Sequence, residues 1–147
     1  MLSLALIVFA VDQITKLLVV AMLHTNSAAI IPSLNFTLGY NKGAAFGILD
    51  AASGWQRWFF IAIAIIISLI IILWSKKLTP RDKWEQVALG LVLGGAWGNL
   101  LDRIRLSYVV DFIDFYIGTW HWYTFNVADI AICIGAALLA VYGLRKP

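Results

Sequence analysis

The chain has 147 residues, of which 62% are hydrophobic and 13% are charged. Soluble domains carry about 25% charged residues, so this composition excludes an ordinary soluble domain and indicates a membrane protein. The net charge of +3 does not indicate nucleic-acid binding, because the basic residues lie beside apolar segments rather than along one polar face. The single cysteine, Cys133, excludes an intramolecular disulfide and a multi-cysteine metal site.

Four apolar segments predict membrane-spanning helices, since a bilayer core requires about 20 mostly apolar residues for each crossing helix. The predicted spans are 2–23, 58–75, 86–103 and 124–144. Outer connectors would then cover 24–57 and 104–123, and a cytoplasmic connector 76–85. The sequence therefore predicts one domain over 1–147, an all-α membrane protein built as a four-transmembrane-helix bundle.

The first outer connector has a pattern of its own. "NFTLGYN" alternates Phe36, Leu38 and Tyr40 with polar or small residues, which predicts a strand. "KGAAFGILDAASGW" indicates a short interfacial segment, because Phe46, Ile48 and Leu49 could enter the lipid. We therefore expect a small extracytoplasmic β/loop subdomain beside the bundle.

The basic residues predict the orientation. Most of them lie in "SKKLTPRDK" (75–83) and in the C-terminal tail, and basic connectors remain on the cytoplasmic side. With four spans, both termini would be cytoplasmic. The first segment is interpreted as a retained helix rather than a cleaved signal peptide, because no basic start precedes its apolar run.

Polar residues inside the predicted spans each require a partner or a function. Asp12 and Lys16 are four residues apart and share a helix face, so they form either a structural ion pair or part of an active site. In "GGAWGNLLDR", glycines allow close helix packing, while Asn99 and Arg103 share a face for either interhelical hydrogen bonds or ligand binding. Neither spacing decides between its two interpretations.

Two more segments carry acidic residues near the predicted outer side. Asn126 and Asp129 share a face in "TFNVADIAI", and Asp129 has no basic partner in its span. It is therefore either an acid–base residue or a protonated structural aspartate. "YVVDFIDFY" adds Asp111 and Asp114, and two neighbouring carboxylates can act as the base and the acid of an aspartic protease. Spacing does not choose between Asp111 and Asp114, which share a face in a helix but not in a strand.

Other chemistries have less support. His24 and His121 lie far apart without nearby cysteine or glutamate, which makes a poor zinc site. The sequence contains neither a G-x-S-x-G nucleophile turn nor a glycine-rich phosphate loop. We therefore expect no metal, no cofactor and no nucleic-acid partner.

Five blocks in order resemble the bacterial lipoprotein signal peptidases, also called signal peptidase II. The blocks are "DQITK" (12–16), "YNKGAAFG" (40–47), "GGAWGNLLDR" (94–103), "VVDFIDFY" (109–116) and "FNVADIAI" (125–132). The resemblance implies a membrane aspartyl endopeptidase that removes the signal peptide from diacylglyceryl-modified prolipoproteins, cutting before the lipidated cysteine. It also implies a location in the bacterial cytoplasmic membrane, with the active site toward the outer leaflet.

The same resemblance assigns residues. It implies a catalytic pair of Asp111 and Asp129, and it leaves Asp114 a positioning or solvated role. The implied substrate-binding or supporting residues are Asn41, Asn99, Arg103, Asn126, Asp12 and Lys16. The expected partners are the prolipoprotein and membrane lipid, and we expect a monomer because one chain supplies the whole site.

A small proton-coupled transporter is the alternative, with Asp12, Lys16 and Asp129 as the relay. That function predicts polar residues continuing toward the cytoplasm. After Asp129 the chain reads "IAICIGAALLAVYG", with only Tyr142 near its end. The sequence therefore favours the peptidase.

Overall fold

The computed structural model describes residues 1–23, 27–43 and 54–143. The predicted interfacial segment with Phe46, Ile48 and Leu49 lies outside the described residues, as do His24 and the basic tail. The helices are α1 (Leu2–Met22), α2 (Trp55–Ser75), α3 (Lys83–Leu106) and α4 (Val127–Gly143). The strands are β1 (Ser27–Ile31), β2 (Leu34–Asn41), β3 (Val109–Ile117) and β4 (Trp120–His121).

Helix α3 is the central helix and packs against α1, α2 and α4. Its glycines make this possible, because a side chain at these positions would meet backbone on a neighbouring helix. A Cβ at Gly94 would lie 2.5 Å from the carbonyl oxygen of Ala5 in α1, and one at Gly95 would lie 2.5 Å from that of Ala128 in α4. The stripe of small residues therefore brings α1 and α4 close enough for their polar side chains to meet on α3.

The four strands form one antiparallel sheet in the order β1-β2-β3-β4. The strand predicted from "NFTLGYN" is present within β2. A bulge interrupts the pairing of β2 with β3, since Phe36 pairs with Ile113 and Gly39 with Asp111. Between these pairs, positions 37 and 38 of β2 lie opposite Phe112 of β3 alone. The extra residue reverses which face of the sheet the following β2 side chains occupy.

The predicted all-α, four-transmembrane-helix bundle is wrong. The described residues form four helices together with a four-stranded antiparallel sheet. Among them, only α1 and α2 are both long and apolar enough to cross a membrane, and the apolar part of α4 is shorter. Helix α3 carries Glu85, Asn99 and Asp102 on its buried side, so its length reflects packing within the protein rather than contact with lipid along a whole span.

Candidate active site

The start of α4 is built by Asn126 and Asp129. The backbone N–H of Asp129 donates to Asn126 Oδ1 at 3.0 Å, and the backbone N–H of Asn126 donates to Asp129 Oδ2 at 3.2 Å. This reciprocal pair is a capping box, which satisfies two donors that a helix start leaves free. The sequence pattern Asn-x-x-Asp indicates such a box, but from the sequence we noted only that Asn126 and Asp129 share a helix face. The capping box fixes the Asp129 carboxylate in the first turn of α4.

Asp111 lies on β3 with only 2% of its surface exposed. Its carboxylate accepts hydrogen bonds from Asn126 Nδ2 at 2.6 Å and from Asn41 Nδ2 at 3.1 Å. Burial, and then the nearby charge of Asp129, raise the pKa of Asp111 to about 7, against the opposing effect of those two amides. Asp111 therefore gains or loses a proton near neutral pH.

Asn99 holds Asp129 from the side of α3. Its Nδ2 donates to Asp129 Oδ1 at 2.8 Å. Its Oδ1 accepts from Lys16 Nζ at 3.0 Å and from Asn126 Nδ2 at 3.2 Å. Because both of those donors require the oxygen, the amide has one satisfied orientation, with its nitrogen toward Asp129.

Lys16 lies between two buried carboxylates. Its Nζ is 2.9 Å from Asp12 and 2.8 Å from Asp102, and all three side chains are at most 5% exposed. Asp12 also accepts from the backbone N–H of Ala128 at 2.9 Å, and Asp102 from that of Val110 at 3.2 Å. The ion pair left open by the sequence is therefore both a structural link between α1, α3, α4 and β3 and a neighbour of Asp129 through Asn99.

Two residues of this cluster were missed. Asp102 pairs with Lys16, a partner that the sequence did not indicate. Gln13 was not singled out, yet its Nε2 lies 3.0 Å from Asp102 and 3.2 Å from Asp12. The available signal was position, because Gln13 is adjacent to Asp12 in sequence and Asp102 follows Asn99 by three residues on α3.

Arg103 borders the same site. Its Nη2 donates to the carbonyl of Gly43 at 2.9 Å, and its guanidinium lies 4.9 Å from the ring centroid of Phe60. Its buried Nε has no hydrogen-bond partner among the residues that the structure describes. Such a donor is costly to leave unpaired, so the described residues alone do not satisfy this side of the site.

A cavity of about 560 Å³ opens onto both Asp111 and Asp129. Asn41, Asn99 and Arg103 form its polar end. The remaining lining is mostly apolar or aromatic and consists of Val109, Trp122, Tyr123, Thr124, Phe125, Ile130, Ile132, Cys133 and Ile134. The structure thus brings two carboxylates, amide donors and an arginine to one end of an apolar cavity.

Asp114 lies apart from this cluster, because a strand directs residues three apart to opposite faces. Its carboxylate accepts from Asn35 Nδ2 at 3.3 Å and Thr37 Oγ1 at 3.2 Å, and it lies 2.8 Å from His121 Nδ1. Burial alone would raise the pKa of Asp114, but the hydrogen bonds from His121, Asn35 and Thr37 together lower it. The β2 bulge lets one strand serve both carboxylates, with Asn35 and Thr37 facing Asp114 and Asn41 facing Asp111.

The supporting residues expected from the resemblance meet around this cavity. Asn41, Asn99, Asn126 and Arg103 contact or border the two carboxylates. Lys16 reaches them through Asn99, and Asp12 through Lys16. Every site residue expected from the sequence is therefore part of one connected polar cluster.

Comparison with known proteins gives a consistent family. The model of the family described as "Signal peptidase (SPase) II" matches residues 4–145. The chain is 50% identical over 139 residues to a lipoprotein signal peptidase of Hydrogenovibrio crunogenus, covering 94% of this chain and 81% of the relative. It is 48% identical to one of Coxiella burnetii, covering 98% and 89%. A solved bacterial membrane enzyme matches with a TM-score of 0.85 and 36% identity, covering 97% and 85%. The chain therefore belongs to the signal peptidase II family.

Proposed function

We propose that Asp111 and Asp129 are the catalytic pair of this chain, a membrane-bound aspartic-type peptidase that removes the signal peptide from prolipoproteins. The observation that carries the assignment is Asn126, whose side chain donates to Asp111 while its backbone N–H donates to Asp129. One residue thus holds both carboxylates at the same cavity. The comparisons give the transporter alternative no support. The test is cleavage of a diacylglyceryl-modified prolipoprotein by the purified chain and its Asp111→Asn and Asp129→Asn variants.

In the proposed reaction the pair carries one proton between its two carboxylates, because two neighbouring aspartates do not both ionise cheaply. Asp129, as carboxylate, takes a proton from the attacking water, whose oxygen bonds to the scissile carbonyl carbon. Asp111, as carboxylic acid, gives its proton to the carbonyl oxygen. The tetrahedral intermediate collapses as the proton on Asp129 passes to the leaving cysteine nitrogen and one hydroxyl proton returns to Asp111. The peptide bond breaks, a new carboxyl group forms, and the pair again holds one proton.

The neighbouring polar groups support this division of roles. Each carboxylate accepts two hydrogen bonds, but burial and then the charge of Asp129 raise the pKa of Asp111, which suits Asp111 as the acid of the pair. Arg103 lines the cavity, and its guanidinium is proposed to bind a carbonyl of the substrate backbone. Lys16 and Asp12 act indirectly, since Lys16 fixes the orientation of Asn99. No metal or cofactor is required in this scheme, because the two carboxylates activate the water.

The substrate is proposed to be a prolipoprotein whose cysteine already carries diacylglycerol, cut immediately before that cysteine. The cavity fits the segment around such a cysteine. The polar end of the cavity holds the carboxylates, and Ile130, Cys133 and Ile134 continue as an apolar wall along α4. A lipid-modified cysteine would direct its acyl chains along this wall. Since one chain supplies both carboxylates, the enzyme is proposed to act as a monomer in contact with membrane lipid.

The proposed location is the bacterial cytoplasmic membrane, with the sheet and the site toward the outer leaflet. The basic connector between α2 and α3 would be cytoplasmic. Met1 and Leu78 of that connector pack against the same core cluster, and Gly135 of α4 lies against Ala88, near the connector end of α3. Both termini would therefore lie on the cytoplasmic side.

Cysteine labelling tests this orientation. In a Cys133→Ser background, Thr119→Cys in the β3–β4 turn should react with a membrane-impermeant maleimide added to spheroplasts. Lys77→Cys should react only after lysis, because the positive-inside rule places it in the cytoplasm. The opposite pattern would reverse the proposed orientation.

The pH dependence of kcat/KM should follow the proton of Asp111. Its pKa of about 7 predicts that kcat/KM falls above pH 7, approaching about tenfold per pH unit once the shared proton is lost. The measurement is kcat/KM for the lipidated prolipoprotein between pH 5.5 and about 9 in one detergent. Asp82→Asn, at the far end of α3, should leave the profile unchanged. A rate that stays constant to pH 9 would contradict the proposed acid.

A further inference from the structure

The carboxylate of Asp114 connects all four strands of the sheet. It accepts hydrogen bonds from Asn35 and Thr37 on β2, and Thr37 Oγ1 lies 2.9 Å from Ser27 Oγ on β1. His121 on β4 donates from Nδ1 at 2.8 Å, since a carboxylate can only accept. Asp114 is 5% exposed, so these bonds are the compensation for burying its charge.

His121 is the end of this network that faces solvent. Its side chain is 52% exposed, and its ring stacks on Tyr116 with centroids 5.1 Å apart. Strand β4 has only two residues and pairs with β3 at two positions. Such a short strand has little ladder of its own, so the side-chain bond to Asp114 supplies much of what holds it to β3.

The chain that follows β4 forms one wall of the cavity. Trp122, Tyr123, Thr124 and Phe125 all line it. This cavity wall (122–125) is held at its far end by Phe125, whose backbone exchanges hydrogen bonds with Phe112 and Ile113. At its near end, the N–H of Trp122 donates to Phe115 O at 2.8 Å, directly after His121. Backbone hydrogen bonds therefore hold the wall at Phe125, and the Trp122 backbone bond together with the Asp114–His121 bond holds its near end.

We propose that Asp114 and His121 are a positioning pair that holds the cavity wall 122–125 against the bound substrate. Neither residue lines the cavity among the residues that the structure describes, so the pair acts through the wall. The proposal rests on the proposed function, in which this cavity binds the prolipoprotein. It assigns Asp114 a role in substrate binding and separates it from the chemistry of Asp111 and Asp129.

The geometry separates binding from catalysis. Asp111 and Asp129 are held by Asn41, Asn99 and Asn126, and none of these bonds involves His121. Loosening the near end of the wall should therefore leave the carboxylates in place. Trp122 and Tyr123 supply broad apolar and hydrogen-bonding surface for a peptide or acyl chain, so a displaced wall should weaken binding more than turnover.

Two His121 variants isolate the bond from the ring. His121→Phe keeps the stacking on Tyr116 but removes the Nδ1 donor. His121→Asn loses the ring but places Nδ2–H where Nδ1–H was. Thr119→Ala, an exposed change in the same hairpin, is the matched control. For each variant, kcat and KM are measured with the lipidated prolipoprotein in micelles, and amide hydrogen exchange is measured over 117–126.

His121→Phe should raise KM about tenfold, because the free energy of a hydrogen bond to a buried charge corresponds to about a tenfold change in an equilibrium constant. Its kcat should remain within about twofold, and the amides of 120–124 should exchange faster. His121→Asn should restore most of both properties, and Thr119→Ala should match the parent. Unchanged KM and exchange in His121→Phe would overturn the proposal, as would a fall in kcat at constant KM.

A separate variant, Asp111→Asn, tests the proposed function independently of His121. If Asp111→Asn retains full activity, the catalytic assignment fails whatever His121 does. If Asp111→Asn is inactive while His121→Phe behaves as the parent, the catalytic pair stands and only the positioning pair is overturned.

Discussion

Replacing Asp111 or Asp129 with asparagine should reduce kcat by about 10²–10⁴-fold, which is the usual contribution of a positioned acid or base. Asparagine keeps the size of the side chain but cannot exchange a proton with water or with the scissile carbonyl. The double variant should be little worse than either single one, because the two carboxylates act as one unit. The measurement is single-turnover cleavage of the diacylglyceryl-modified prolipoprotein.

Asp82 is the control for this substitution, and Asp114 tests whether the chemistry is separate from substrate binding. Asp82→Asn lies at the connector end of α3 and should leave cleavage unchanged. Asp114→Asn should keep kcat within about twofold, because Asp114 contacts His121, Asn35 and Thr37 rather than the pair. If Asp114→Asn were inactive while Asp111→Asn cleaved normally, the enzyme class would remain and the catalytic pair would be misplaced.

The Asp111→Asn variant should also show that Asp111 lowers the free energy of unfolding at neutral pH. Its pKa is about 7 in the folded chain against 3.8 as the ordinary value, so the folded state holds a proton that the unfolded state has released. The parent should therefore lose stability as pH rises from about 4 to 7, by up to about 4 kcal/mol. Asp111→Asn has no ionisable group at this position, so it should not show this loss. Denaturant unfolding of both proteins at pH 5 and pH 7.5 should show that the variant becomes more stable relative to the parent as pH rises.

Replacing Lys16 with methionine should destabilise the fold by about 3–5 kcal/mol, because it leaves the buried carboxylates of Asp12 and Asp102 without their cation. Methionine fills most of the space of the lysine stem, so lost packing contributes little. The measurement is equilibrium unfolding in mixed micelles. Lys76→Met, an exposed basic position after α2, is the control and should change stability by less than about 0.5 kcal/mol.

A second substitution separates loss of the charge pair from general disruption. Adding Asp102→Asn to Lys16→Met removes one of the two uncompensated carboxylates, so it should recover part of the lost stability. If Lys16→Met were as stable as the parent, the buried cluster would not link the helices as the contacts indicate. If the double variant were less stable than Lys16→Met, the loss would come from something other than uncompensated charge.

Parts of the fold could be read from the sequence because they follow one local rule. The apolar runs at 2–23 and 58–75 predicted helices where α1 and α2 lie, and alternation in "NFTLGYN" predicted the strand present in β2. The number of spans could not be read in this way. In α3 the polar residues Glu85, Asn99 and Asp102 are buried, and a count of apolar residues does not show which side of a helix is buried. The sheet was underestimated because its pairings join strands that lie far apart in sequence.

The site shows the same division. The residues of the cluster were predicted through the family resemblance, while their connections were not. Spacing could not choose between Asp111 and Asp114, because the answer depends on β3 being a strand. The role of Asp102 depends on which helix face meets α1. The bond between Asp114 and His121 depends on a hairpin turn at Gly118, whose φ of +61° suits glycine and is visible only in three dimensions.

The capping box at the start of α4 has a consequence for how the enzyme can change over time. Asp129 is proposed to activate water, and the same carboxylate closes the first turn of the helix on Asn126. Substitution at position 129 is therefore limited by two requirements, one from the proposed catalysis and one from the folding of α4. An alanine at position 129 would remove both functions together, so that change would end the activity and weaken the start of α4 at the same time. Asparagine, which can still cap, is the one-step path by which an inactive but folded descendant would arise.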